Sequence, residues 1–125
     1  MNSKIKISRS IRGATTTEQN TKEEIEQVTI ELLSNIIESN KIDKDDITSV
    51  IFTLTPDLNA DFPAKYARIH LGWDDVPMIC AQEIAVEDSL KMCIRVLITL
   101  NTIQEKHEIK HVYLGRAKAL RPDLN

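Results

Sequence analysis

One arginine lies inside an apolar and β-branched stretch, KMCIRVLITL, at residues 91–100. A guanidinium does not lose its proton, so burial of Arg95 without a partner would cost several kcal/mol at least. An anion must therefore meet this side chain. That anion is either a carboxylate of the chain itself or a ligand that binds from outside.

Three further arginines, Arg12, Arg68 and Arg121, lie near the ends of predicted elements. For any one of them, a solvated surface position or an internal ion pair is the alternative to a binding role. Arg12 and Arg95 differ from the others because both stand among aliphatic strand neighbours, where the planar guanidinium suits a carboxylate better than a lysine would. We therefore expect a small dianion as the ligand.

Glu83, in ICAQE, is the acidic residue closest to an apolar strand end. It could neutralise Arg95 directly, because buried charges normally pair. It could also accept a hydrogen bond from a ligand hydroxyl while balancing an arginine, which would favour an anion that bears an alcohol. Cys80 and Tyr113 could line the same cavity, although both residue types are more often found in cores.

The sequence lacks the groups that most catalytic routes require. Its two cysteines form no C-x-x-C motif, and none of its three histidines stands beside a serine or cysteine in a nucleophile motif. Three glycines do not allow a dinucleotide or Walker loop. We therefore expect no metal and no cofactor. Positioning and charge stabilisation remain, and they suffice for a unimolecular rearrangement of an anionic substrate.

Length and charge limit the class of protein further. The 125 residues fit one domain, which we expect over residues 1–125 with residues 1–4 disordered. Sixteen basic against nineteen acidic residues give a net charge of -3, which argues against nucleic acid as a partner. The sequence shows no signal peptide and no membrane span, so we expect no membrane partner and a cytoplasmic location.

Two helices are predicted. Thr21 and Glu24 form a capping-box pattern, and apolar residues then repeat at helical spacing to about Asn40. Pro63 can open a second, shorter helix that Gly72 closes as a left-handed C-cap.

The strands are predicted from alternation and β-branched content. Ile5, Ile7 and Ile11 stand at even spacings and indicate a strand that ends at Gly13. Residues 47–55 read as a central strand that Pro56 stops, and a short strand follows at 76–80. Residues 92–99 alternate as a strand, although a helix over 90–100 competes, and residues 111–120 are expected to form a last strand.

This order of elements predicts an α+β fold, with a mixed β-sheet and two main helices packed on one face. Two helices are too few to cover both faces of such a sheet. We therefore expect identical subunits to bury the other face around a closed symmetry axis.

Five separated segments resemble, in order and spacing, the monofunctional chorismate mutases of the small trimeric pseudo-α/β-barrel type. The resemblance covers the chain from about Ile11 to the C-terminus, in IRGATT, TPDLNADFPAKYAR, GWDDVPMICAQE, CIRVLI and HVYLGRAKALRPDL. It implies a homotrimer with three active sites at subunit interfaces. It also implies conversion of chorismate to prephenate by a [3,3] rearrangement without cofactor or metal.

The resemblance also implies a role for each matching residue. Arg95 looks like the ligand of the ether oxygen, Arg12 and Tyr113 like the ligands of the side-chain carboxylate, and Glu83 and Cys80 like partners of the ring hydroxyl. The remaining residues that match the pocket or its mouth are Phe62, Ala64, Lys65, Arg68, Ile79, Ala81, Gln82, Leu120 and Arg121.

Three details of the match affect the pocket. The resemblance places residues 62–68 in the neighbouring subunit, and Arg68 and Arg121 where they would draw in the ring carboxylate. Ile79 stands where relatives often carry threonine, and contact there is expected through the backbone. The sequence ends at Asn125, where relatives often continue into a tail over the pocket, so we expect substrate affinity and release to be affected.

Two other functions compete with catalysis. A non-catalytic trimer could bind a small dicarboxylate as a sensor, since a pocket that clamps a ligand need not accelerate a reaction. A purely structural assembly module is the third alternative, with Arg95 and Glu83 as a buried ion pair. Arg95 favours the mutase, because a binder needs charge only at the carboxylates.

Overall fold

Five strands form one mixed sheet in the order β3-β2-β4-β1-β5. The computed structural model describes residues 5–124, and the expected disorder of residues 1–4 lies outside that range. Strand β4 runs antiparallel to both β1 and β2, while β3 pairs in parallel with β2 and β5 with β1. The strands are β1 (Ile7–Thr16), β2 (Ile47–Leu54), β3 (Met78–Gln82), β4 (Cys93–Thr102) and β5 (Val112–Tyr113).

Two α-helices, α1 (Lys22–Asn40) and α2 (Pro63–Leu71), lie where the sequence predicted them. The Thr21 hydroxyl caps α1 by accepting the Glu24 N–H at 3.2 Å. The Glu24 carboxylate accepts the Glu18 N–H instead of that of Thr21, so only half of the predicted capping box forms. Gly72 ends α2 with φ 68°, as a left-handed C-cap requires.

Both helices cover the same face of the sheet, as predicted. Leu32 and Ile36 from α1 and Tyr66 from α2 join one core with the sheet residues Phe52 and Val96. Such apolar burial is the main source of stability in a domain of this size. Within residues 5–124, neither helix is long and apolar enough to cross a bilayer.

Among residues 5–124, no helix lies over the opposite face of the sheet. Three of its aliphatic side chains are open to solvent: Ile79 is 62% exposed, Ile51 38% and Leu97 37%. Because β-strand side chains alternate, this open face also carries Arg12 from β1 and Arg95 from β4. The charged residues of interest therefore project away from the hydrophobic core.

Strand β1 continues to Thr16, and the prediction that it ends at Gly13 is wrong. Of the three isoleucines that predicted the strand, only Ile11 is buried. Gly13 lies mid-strand against α1, where an added Cβ would come within 2.6 Å of Ile36 Cδ1. The glycine allows the helix to approach the sheet and does not end the strand.

The predicted last strand over residues 111–120 is also wrong, because β5 spans only Val112–Tyr113. The chain then turns at Gly115, whose φ is 57°, and forms a 3-10 helix over Gly115–Leu120. The Thr16 hydroxyl stabilises this turn by accepting the Arg116 N–H at 3.1 Å. That contact joins residues one hundred positions apart in the sequence, so local pattern does not reveal it.

Candidate active site

A single row of paired residues crosses all five strands on the open face. Arg95 on β4 stands between Thr53 on β2 and Ala14 on β1, and the row continues to Ala81 on β3 and Tyr113 on β5. Cross-strand partners lie close enough for direct contact between their side chains. Ala14 is small and fully buried, which leaves space beside the Arg95 side chain.

A cavity of about 280 Å³ opens along this row. Its size suits a small molecule rather than a macromolecule. Two predicted ligands of a dianion, Arg12 and Arg95, line it together with the buried Tyr113. The rest of its lining consists of Gly13, Ala14, Ile51, Thr53, Val96 and Leu97.

Arg95 has a loose internal partner. Its Nε lies 3.7 Å from Glu83 Oε2, beyond ordinary hydrogen-bond distance, and the two side chains are 47% and 26% exposed. Within the described chain, Glu83 is the one carboxylate that approaches the Arg95 guanidinium within 4.0 Å. The Thr53 hydroxyl donates a hydrogen bond to the same Glu83 oxygen. Glu83 thus balances the charge of Arg95 without occupying the outer N–H groups of the guanidinium.

The burial expected for Arg95 is not found in the single chain. Its strand neighbours Ile94 and Val96 are buried, as their apolar character predicted, but they point to the opposite face, toward the helices. Arg95 points to the open face, where its side chain stays 47% exposed and no element of the described residues covers it. A partner that excludes water must come from outside the chain if this cation is to act in a dry site.

Six of the other predicted residues form a second group, at the far edge of the sheet. Phe62, Ala64, Lys65 and Arg68 from α2 and its N-cap line a cavity of about 290 Å³ with Ile79 and Cys80 from β3. We call these six residues the α2–β3 cluster, and Arg12, Glu83, Arg95 and Tyr113 the arginine cluster. Within one chain, Arg12, Arg95 and Tyr113 of the arginine cluster line one cavity and the α2–β3 cluster lines another.

Four predicted residues lie beside these clusters. Ala81 and Gln82 follow Cys80 on β3 and line a neighbouring cavity of about 340 Å³ with Phe62. Leu120 packs against the small buried group that contains Ala14, Cys93 and Tyr113, so it lies beside the Tyr113 end of the arginine cluster. Arg121 donates two hydrogen bonds to the Asp123 carboxylate, at 3.0 and 2.8 Å. Arg121 would therefore have to share its charge between Asp123 and a ligand.

Both cysteines are poor nucleophiles. Burial raises the pKa of the Cys80 thiol, and burial together with the nearby Glu83 raises that of Cys93 to about 11 although Arg95 opposes the shift. A thiol rather than a thiolate is then present at neutral pH, which gives Cys80 a weak hydrogen-bond donor. Between residues 5 and 124, no three His, Cys, Asp or Glu side chains lie close enough together to hold a metal ion.

Sequence reasoning missed three residues that support the site. Thr53 holds Glu83, and His111 accepts the backbone N–H of Arg12 at 2.9 Å. Asp61 accepts the Tyr66 hydroxyl at 2.6 Å and the Lys65 ammonium at 3.2 Å, which orders the start of α2. Alternation along β2 places Thr53 on the open face, but only the pairing of β2 with β4 shows that it faces Arg95.

Comparison with known proteins identifies relatives over nearly the whole chain. Residues 8–124 match the model of the family described as chorismate mutase type I. Chorismate mutase AroH of Bacillus subtilis (strain 168) is 49% identical over 117 residues, which cover 94% of this chain and 92% of that protein. Chorismate mutase AroH of Thermus thermophilus is 46% identical over 117 residues, which cover 93% of this chain and 95% of that protein.

A solved structure agrees with the fold as well. A chorismate mutase from Clostridium thermocellum superposes with a TM-score of 0.86 at 49% sequence identity. The superposition covers 89% of this chain and 98% of that one. The agreement covers the mixed five-stranded sheet and the helices on one of its faces.

Proposed function

The chain belongs to the chorismate mutase type I family, and from this membership we infer that it converts chorismate to prephenate. In this [3,3] rearrangement the ether C–O bond of chorismate breaks while a C–C bond forms, so atoms and electrons balance within one molecule. The reaction belongs to aromatic amino acid biosynthesis, in the branch toward phenylalanine and tyrosine. We place the enzyme in the cytoplasm, where a soluble biosynthetic substrate would reach it.

We propose that Arg95 stabilises the ether oxygen. Negative charge grows on that oxygen as the C–O bond lengthens, and a fixed cationic donor there lowers the transition state more than the ground state. The observation that carries this role is the position of Arg95: its guanidinium lines a cavity with Arg12 and Tyr113, and its internal partner Glu83 lies 3.7 Å from Nε.

The remaining roles concern positioning. Arg12 and Tyr113 would hold the side-chain carboxylate of chorismate, and Glu83 and Cys80 its ring hydroxyl. Holding both ends of the substrate in a compact conformation converts binding energy into proximity of the two carbons that must join. Arg68 and Arg121 would attract the ring carboxylate to the mouth of the site.

We also propose that the single domain, expected over residues 1–125, assembles as a homotrimer with its active sites between subunits. Two features support this. The open sheet face leaves Ile51, Leu97 and Ile79 partly exposed, which favours a contact that removes them from water. Arg12, Arg95 and Tyr113 line one cavity and the α2–β3 cluster another in one chain, so a neighbour that brings its α2–β3 cluster to the arginine cluster would complete the pocket.

The activity is tested by mixing the purified protein with chorismate and following the loss of ultraviolet absorbance. Prephenate is then verified by its acid conversion to phenylpyruvate. Turnover without added metal or cofactor, and in the presence of a chelator, is the expected result. Absence of turnover in a folded, trimeric protein would contradict the proposal.

Subunit complementation tests where the sites lie. Arg95→Ala alters one cluster, and the double variant Lys65→Ala/Arg68→Ala alters the other. If each site takes one cluster from each of two subunits, mixed trimers of the two variants should regain about a quarter of the wild-type sites. Subunit exchange must first be demonstrated. If activity then does not recover, the result would contradict a shared site.

A non-catalytic binder of a small dicarboxylate is the second candidate, supported by the same pair of arginines in one cavity. It predicts a rise in melting temperature with a chorismate-like dianion but no loss of chorismate absorbance. The absorbance assay therefore separates the two functions.

A further inference from the structure

Strand β1 is paired on one side only along its first half. Its parallel pairing with β5 covers Gly13 and Ala14 alone, and the same register would next bring Arg12 beside His111. The backbone of Ala14 faces β5, since its carbonyl accepts the Leu114 N–H at 2.9 Å. Alternation gives the Arg12 backbone the same direction, so its N–H also needs an acceptor at this edge.

The imidazole of His111 supplies that acceptor. The Arg12 N–H donates to His111 Nδ1 at 2.9 Å, in the position where a longer β5 would have continued the ladder. An acceptor at Nδ1 must be unprotonated, so the proton of the neutral ring lies on Nε2. A side chain thus takes the place of a backbone carbonyl at Arg12, the residue that precedes the first β1–β5 pair.

Asn40, the last residue of α1, explains why the backbone itself does not continue the ladder. Its side-chain amide accepts the Lys110 N–H at 2.8 Å and donates to the Lys110 carbonyl at 2.9 Å. Asn40 is buried, and its amide also donates to the Ile36 carbonyl at 3.0 Å. Lys110 is therefore held by the helix end, and the neighbouring His111 ring is left to satisfy Arg12.

The surroundings of His111 favour its neutral form. Burial, Arg12 and Arg121 lower the pKa of this imidazole from its ordinary value of 6.5. The ring borders a cavity of about 480 Å³ that Arg9, Arg12 and Lys106 also line. Two acids on neighbouring segments are engaged by other partners, since Asp123 accepts from Arg121 and Glu105 lies 3.7 Å from Arg9. The charged side chains that border this cavity beside His111 are cationic (Arg9, Arg12 and Lys106), and the cation of Arg121 also acts on the ring.

We propose that His111 is a positioning residue for Arg12. The neutral Nδ1 of His111 fixes the Arg12 backbone, from which the guanidinium reaches the substrate carboxylate. This inference rests on the proposed role of Arg12 in substrate binding. Protonation of the ring would turn its acceptor into a donor that opposes the Arg12 N–H. The active site would then lose a fixed carboxylate ligand at low pH, without any change in the reacting groups.

The test compares two substitutions with a matched control. His111→Asn keeps an acceptor oxygen near the position of Nδ1 but does not titrate, whereas His111→Ala removes the acceptor. Loss of one such hydrogen bond should lower kcat/KM about two- to tenfold. We expect the rise in KM to be larger than the fall in kcat. His107→Ala, at an exposed histidine four positions earlier, should leave both constants unchanged.

The pH profile separates positioning from a structural role. In the wild type, KM should rise as the pH falls below 6.5, because the lowered pKa of His111 means that the imidazole gains its proton below that ordinary value. His111→Asn should keep wild-type KM at neutral pH and lack this low-pH rise. The comparison of these two pH profiles needs no alanine variant. It therefore tests the positioning role even if His111→Ala does not fold.

Three outcomes would overturn the inference. The first is a wild-type KM in folded His111→Ala. The second is an equal loss of kcat/KM in His111→Asn and His111→Ala. The third is the same rise in KM at low pH in the wild type and in His111→Asn. Arg12→Ala identifies which assignment has failed. Near-native kcat/KM in that variant refutes the role of Arg12 itself, whereas a large loss there beside a native His111→Ala refutes only the role of His111.

Discussion

Glu83 Oε2 and Arg95 Nε stand 3.7 Å apart on the open sheet face, and the Glu83 oxygen is held by a third residue, Thr53. The carboxylate is therefore fixed by a hydroxyl on β2 and not by the cation that it balances. An ion pair this exposed contributes little to stability, about 0–1 kcal/mol. The arrangement leaves the guanidinium available for a ligand, and it makes the two side chains separable by mutation.

Arg95→Ala should reduce turnover about a hundred- to a thousandfold, since removal of one preorganised donor costs about 2.7–4 kcal/mol of transition-state stabilisation. The loss should fall more on kcat than on KM, because the charge on the ether oxygen develops in the transition state. Arg95→Lys should also be poor, because it keeps the charge but not the planar fork. Steady-state kinetics on chorismate measure both variants.

The control for this substitution is Lys44→Ala, which removes a cation from an exposed pair with Asp75. It should retain wild-type kinetics. Size-exclusion chromatography must show the same oligomer for every variant. Near-native turnover in an Arg95→Ala protein of unchanged assembly would refute the assignment of Arg95.

Thr53→Val should lower kcat/KM, because the Glu83 carboxylate loses the hydroxyl that holds it beside Arg95. The site is partly open to water, so we expect a change of about fivefold, near the middle of the range for one hydrogen bond. Thr53→Ser keeps the hydroxyl and should restore most of the activity. Equal kinetics for the valine and serine variants would show that Thr53 does not position Glu83.

Gly13→Ala should destabilise the fold, because the new Cβ would lie 2.6 Å from Ile36 Cδ1 and 3.1 Å from Val96 Cγ1. Overpacking of this kind costs about 1–3 kcal/mol in the free energy of unfolding, which urea denaturation measures. Ile36→Val removes the Cδ1 atom and should offset part of the loss in the double variant. Additive losses in the double variant would mean that the predicted clash is relieved elsewhere.

Asp61 should make stability depend on pH in the acid range. The hydrogen bonds from Tyr66 and the Phe62 N–H lower its pKa from 3.8 to about 2, so the folded state binds the proton less readily than the unfolded chain. The stabilisation is complete above pH 3.8 and is lost as the pH falls toward 2. Urea denaturation across this range should show a smaller pH dependence in Asp61→Asn than in the wild type.

The hydrogen bond between Tyr66 and Asp61 should also make the stability depend on pH in the alkaline range. Asp61 and burial raise the pKa of its phenol from 10.0 to about 12, so this contribution is present below pH 10 and is lost as the pH approaches 12. Tyr66→Phe should abolish the alkaline effect but only weaken the acid one, because the Phe62 N–H and Lys65 still donate to Asp61. Asp75→Asn, at a carboxylate that is 74% exposed, should leave the acid limb unchanged and serves as the control.

The elements that the sequence predicted well are those with local signals. Thr21 caps α1 and Gly72 ends α2, and each acts within one helical turn of its own position. Alternation located β4 and placed Arg95 on the face opposite Ile94 and Val96. Such signals need no knowledge of distant partners.

The features that sequence reasoning missed depend on distant contacts. Strand β5 is short because Asn40 captures the backbone of Lys110, seventy residues away. The supporting role of Thr53 follows from the register between β2 and β4, which alternation alone does not fix. The solvent exposure of Arg95 in one chain reflects which face the helices cover, and that choice belongs to the whole fold.

The brevity of β5 has a consequence for motion. Residues 112–124 are joined to the sheet by a two-residue ladder, a few hydrogen bonds and the small buried group around Ala14, and they bring Tyr113 to the pocket. Local opening of such a segment takes only a fraction of the global unfolding free energy, and its amides should exchange with solvent faster than those of β4. Local unfolding of residues 112–124 would thus open a route for product release while the central strands stay folded.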